Sequence, residues 1–173
     1  FIQYAYSVLN DINRELNRQG VLTHHRFAEI FNSYVIPVEN LKDKFSVPHE
    51  ADFIDWAQLL GARLLIGNQS FDRIVTAMLE QQLFKKPYRF IASLVEEIND
   101  RRAVYLKTRT RPVNVKENPG GLRDIQMILQ AGQAFIGNRE SDIWKTFQIL
   151  INDLPELASE IKTLERVYKL RRN

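Results

Sequence analysis

The spacing of apolar residues most constrains this chain: they recur at three and four positions almost from end to end, and no stretch alternates long enough to argue for a sheet. Ile2, Tyr6, Leu9, Ile12 and Leu16 form one such stripe ahead of Gly20. Phe53, Ile54, Ala57, Leu60 and Leu64 form another, with Pro48 suited to its first turn and Gly67 near its end. A third runs through Phe71, Ile74, Val75, Met78 and Leu79, with Asn68 or Ser70 as its cap and Pro87 as its interruption. Pro87 opens the longest expected helix, which carries Ile91, Leu94, Val95, Ile98 and Tyr105 on one side. Beyond Gly120 and Gly121 a helix turns Leu122, Ile125, Leu129 and Ile136 inward and ends near Gly137, and Gly132 on its stripe lets a neighbouring helix come close. Ser141 is read as the cap of a helix through Ile151, and Pro155 as the start of the last one. A short helix is expected between Val21 and Asn32, Pro37 and Pro48 bracket a less regular connection, and Val113 to Val115 is briefly extended. The expected class is all-α, an irregular multi-helix bundle.

With 7 glycines and 6 prolines among 173 residues, the chain is expected to form one helical domain over 1–173 around a single core. A helix already running at residue 1 implies sequence upstream. The absence of cysteine excludes disulfides and thiolate metal sites, and His24 and His25 have no acid or third ligand spaced for zinc, so no metal site is expected. No run approaches the ~18 apolar residues of a membrane span and no signal peptide opens the chain, so no membrane partner is expected and the cytoplasm is the expected compartment. The net charge of +3 hides a local excess, because between Lys85 and Asp124 ten basic residues stand against five acidic ones. Such an excess attracts phosphate, nucleic acid or an acidic protein surface, and the plainer reading is a solvated helix face. Nucleic acid is disfavoured, since no groove-reading motif or aromatic stacking pattern accompanies the charges.

The segment from Val113 to Gln126 concentrates turn chemistry: Pro119, Gly120 and Gly121 stand in a row before a helix that opens at Leu122. The unpaired amides of such an opening are an anion site. Asp124, close to the helix start, offers the competing reading, in which it accepts those amides itself. Lys116 and Arg123 flank the entrance and, with Gly120 and Gly121, are the candidates for holding phosphate or a partner. Arg63, on a strongly apolar stretch with Trp56, Leu59 and Leu60, needs an acidic or carbonyl partner and is read as a structural ion pair. Arg101 and Arg102 lie at the edges of the stripe through Leu94 and Ile98, and Asp124 is their candidate partner.

The run Val115-Lys116-Glu117-Asn118-Pro119-Gly120-Gly121-Leu122-Arg123-Asp124-Ile125-Gln126 closely resembles a signature of the PII-uridylyltransferase family, of which glutamine-synthetase adenylyltransferase has a near variant. Leu59 to Asn68 is similar to a second motif of that family, and Arg101-Arg102 to its arginine-rich helix end. Members begin with a nucleotidyltransferase core whose glycine turn and paired aspartates hold divalent metals, and neither pattern occurs in this sequence. The resemblance thus implies a helical domain C-terminal to a missing core, with 1–47 as the tail of that core or the connection from it. It implies no catalytic residue and no cofactor in this chain, while magnesium and a nucleoside triphosphate belong to the full-length protein. The partners it implies are the core of the same polypeptide and a regulatory protein of nitrogen control as substrate. The competing expectation is a non-catalytic helical interaction module of a signalling protein.

Overall fold

A computed structural model of the chain describes residues 2–21, 52–64, 67–107 and 114–172. All regular elements among them are helical: α1 (Ile2–Arg18), α2 (Asp52–Leu60), α3 (Gln69–Met78), α4 (Pro87–Lys107), α5 (Leu122–Ile136), α6 (Ile143–Asp153) and α7 (Ala158–Arg172). The expected all-α class is therefore what the described residues show. The short helix after Gly20, His24 and His25, the connection at Pro37 and Pro48, and Thr108 to Val113 lie outside the described residues.

The chain divides into two compact units, Phe1–Lys44 and Phe45–Asn173, where the sequence alone suggests one domain. In the first unit, α1 carries local ion pairs along its exposed side, Arg18 with Glu15 at 3.0 Å and Arg14 with Asp11. In the second, α5 is the central element, packed against α2, α4, α6 and α7. Its buried residues Ile125 and Leu129 join Phe147 and Leu150 of α6, Leu154, and Ile161 and Tyr168 of α7 in one cluster. Trp56 and Leu60 of α2 and Phe90, Leu94 and Ile98 of α4 are also buried. The α5–α6 crossing is close at Gly132, where an added Cβ would lie 2.8 Å from Leu150 Cδ2.

Helix boundaries depart from the sequence expectation where tertiary partners intervene. Asn68 caps α3, accepting from the Ser70 amide at 2.9 Å, but regular α-helix stops at Met78. Leu79–Phe84 then forms a wider π-helical turn that keeps Leu79 and Leu83 buried. The cap of α6 is Asp142 rather than Ser141: its carboxylate accepts from the amides of Trp144 and Lys145, and Ser141 is exposed. Pro155 starts a single 3-10 turn, Pro155–Leu157, from which α7 continues. No extended segment precedes α5 among the described residues, because Val115 to Glu117 is held in a turn by Asn114, whose Oδ1 accepts from the amides of Lys116 at 2.9 Å and Glu117 at 3.0 Å.

A charged loop clasped at the head of the central helix

The loop from Asn114 to Gly121 leads into α5, and its geometry is set by two glycines with different tasks. Gly120 has φ +71°, a left-handed conformation that side chains disfavour, and an added Cβ there would meet nothing within 4 Å. Gly121 has ordinary extended backbone, but an added Cβ would lie 2.5 Å from the Lys116 carbonyl oxygen, 2.7 Å from that of Asn118 and 2.8 Å from that of Val115. The carbonyls crowd in because they accept from the opening of the helix. Gly121 N–H donates to Asn118 O at 2.7 Å, Leu122 N–H to Val115 O at 3.0 Å and Arg123 N–H to Lys116 O at 3.1 Å. The Gly120 amide donates to Asp124 Oδ2 at 2.8 Å.

These bonds correct the expectation of an open amide cradle. The four amides from Gly120 to Arg123 are satisfied within the loop, so Gly120 and Gly121 serve its internal closure and present no donor to a phosphate. What faces outward is side-chain charge. Lys116 is exposed, with Nζ 3.8 Å from Glu117 Oε1, while Arg123 Nη1 donates to Glu117 Oε2 at 3.0 Å. Burial pushes the Glu117 carboxyl up, but the Arg123 hydrogen bond and the charges of Arg123, Lys116 and Arg101 outweigh it and hold its pKa below the ordinary value.

Beneath the loop, Asp124 is almost fully buried and Arg101 Nη2 lies 2.6 Å from its Oδ1, while Arg102 Nη2 stands 3.8 Å from Oδ2 at the exposed edge. Arg101 Nε lies 3.4 Å from Glu97 and Nη1 3.7 Å from Glu117. Neither nitrogen makes a hydrogen bond despite its burial, so these two contacts act through charge and not through directed donation. Helix α4, the loop and helix α5 are thus joined through one carboxylate.

Arg63 departs from its expected role. Helix α2 ends at Leu60, leaving Arg63 in irregular, exposed backbone with no ion pair among the described residues. The physical reason is Arg139, which sequence reasoning missed. Its Nη2 donates to the Ala62 carbonyl at 2.8 Å, capturing an acceptor that a continuing helix would need, and its Nη1 reaches Asp72 Oδ1 and Thr76 Oγ1, both at 2.9 Å. Its position just past the Gly137 helix stop was the only signal, since a basic residue there is ordinarily read as solvated.

Among the described residues no group of three or more His, Asp or Glu side chains is placed to hold a metal ion, and no helix is long and apolar enough to cross a membrane. The magnesium implied by the family resemblance finds no ligand set there.

Residues 89–172 match the family model described as GlnD PII-uridylyltransferase. Among curated proteins, the chain is similar to bifunctional uridylyltransferase/uridylyl-removing enzymes. That of Nitrosococcus oceani is 31% identical over 108 residues, covering 62% of this chain and 12% of the relative. That of Cupriavidus metallidurans is 38% identical over 96 residues, covering 55% and 11%. That of Cupriavidus pinatubonensis is 31% identical over 120 residues, covering 68% and 14%. The chain therefore spans only a small part of the length of these relatives. No solved structure gives a significant match. The matched region contains α4, the clasp between Arg101 and Asp124, and α5 to α7, and over it this chain is a helical domain of the PII-uridylyltransferase family.

Proposed function

We propose that this chain is the helical domain of a cytoplasmic bacterial nucleotidyltransferase, a uridylyl- or adenylyltransferase acting on a nitrogen-regulatory protein. Its role is to support a catalytic core in the same polypeptide and to help hold the nucleotide or the protein substrate. The observation that carries this reading is the clasped loop itself. Its interior is fixed by Asp124 and Arg101, while Lys116 is left exposed on its surface. A rigid loop with an outward cation suits an element that presents charge to a neighbouring module. Metal-assisted transfer needs a carboxylate cluster to hold its ions, so magnesium and the nucleoside triphosphate belong with the core and not with this chain.

The test combines labelled nucleoside triphosphates, magnesium and candidate acceptor proteins. The 173-residue chain alone is expected to label nothing, whereas a longer protein that includes the core labels its acceptor. Lys116→Ala in that longer protein is expected to lower labelling about tenfold, the loss of one charge-assisted contact, with an unchanged melting temperature. Metal-dependent labelling by the 173-residue chain alone would overturn the assignment. A longer protein that captured the acceptor without labelling it would make the chain an interaction module instead.

A further inference from the structure

At the opposite end of α5 from the loop, a cleft of about 620 Å³ opens between the residues after α2, the start of α6 and the end of α7. It plays no part in the function proposed above. Two guanidinium groups line it, Arg63 from the segment released by the end of α2 and Arg172 from the last turn of α7, and neither has an ion pair among the described residues. The two acids of the cleft are engaged locally. Asp142 caps α6 through the amides of Trp144 and Lys145, and Glu140 Oε1 accepts from the Asp142 amide at 2.8 Å. The uncommitted charge facing the space is therefore positive.

The wall beside these cations is aromatic. Trp144 is 36% exposed, and its ring meets Tyr168 edge-on with centroids 5.7 Å apart. Tyr168 and Arg172 are one turn apart on α7, so the free guanidinium lies above the aromatic pair. Gln130 completes the floor, its side-chain amide already donating to the Ala57 carbonyl at 3.1 Å. Partly exposed indole beside unpaired arginine is an arrangement that favours a planar ring carrying an oxyanion: the ring covers apolar surface, and the guanidinium groups grip the oxygens.

We infer that this cleft is a binding site for a small aromatic oxyanion, gripped by Arg63 and Arg172 and stacked on Trp144. Carboxylate and phosphate share that chemistry, and the two are separated by titrating the 173-residue chain with benzoate and with phenyl phosphate, inorganic phosphate serving as the ring-free control. Calorimetry gives affinity. Tryptophan emission gives location, because Trp56 is buried and a change in emission reports Trp144. Saturable binding of at least one aromatic anion is expected, with a change in emission and with inorganic phosphate much weaker. Arg63→Gln and Arg172→Gln are each expected to weaken binding about tenfold, as the loss of a hydrogen bond to a charged group does, and to leave the thermal melt unchanged because both side chains are exposed. Three results would overturn the site: no saturable binding of either aromatic anion, binding indifferent to both substitutions, or inorganic phosphate bound as tightly as phenyl phosphate.

Discussion

Asp124 does two jobs with two oxygens. One accepts from the Gly120 amide at 2.8 Å and so shapes the loop, and the other meets Arg101 at 2.6 Å and so fixes the loop to α4. Its near-complete burial decides the energetics. Removing one member of a buried pair leaves the other charge desolvated, which costs on the order of 3 kcal/mol, whereas an exposed pair contributes about 1 kcal/mol at most. Asp124→Ala is therefore expected to lower stability by about 3 kcal/mol in chemical denaturation, with Arg101 left to the longer contacts at Glu97 and Glu117. Lys116→Ala, on the exposed surface, should shift the midpoint by less than about 0.5 kcal/mol. A silent Asp124→Ala beside a damaging Lys116→Ala would mean that the two roles are reversed.

At the level of elements, the three glycines around α5 separate three physical causes. Gly120→Ala meets no neighbour and suffers only its left-handed backbone, a cost of about 1–2 kcal/mol. Gly121→Ala drives a methyl into three backbone carbonyls that cannot rotate away, so the loop must open, and a loss of about 3 kcal/mol is expected. Gly132→Ala presses on the Leu150 side chain, which can yield, and gains about 1 kcal/mol of helix propensity against about 1–3 kcal/mol of overpacking. Denaturation midpoints in the order Gly121→Ala lowest, then Gly120→Ala and Gly132→Ala, would agree with this account, and a Gly121→Ala variant as stable as the parent would contradict it.

The helices from Phe71 onward were legible because their stripes, Pro87 and Gly137 are local signals, and the special position of the loop was legible from Pro119, Gly120 and Gly121. The direction of its carbonyls was not, since backbone orientation leaves no residue signature until the turn at Asn114 is known. The stop of α2 at Leu60 was hidden for a related reason: its cause, Arg139, lies 77 positions from the carbonyl it captures.

Across the second unit as a whole, Arg139 joins parts that sequence keeps far apart, tying the segment after α2 and the face of α3 to the turn between α5 and α6. Its side chain is largely buried, and its hydrogen bonds carry charge, so Arg139→Met is expected to cost about 2–3 kcal/mol. Hydrogen exchange should show faster exchange of α3 amides than of those in α7, which lies outside this tie. Uniform acceleration of both helices would mean that the second unit unfolds as one body. The wide turn at Leu79–Phe84 has a different kind of consequence for the same region. A π-helical turn holds one residue more than an α-helical turn closing the same gap, so this stretch stores a surplus residue in its winding. Shortening it by one position would restore regular winding but swing everything downstream by about 100° about the axis, moving Leu83 off the inward side. The phase of the two helices on either side is thus written in the length of this one turn, and insertions or deletions there change which surfaces the rest of the chain presents.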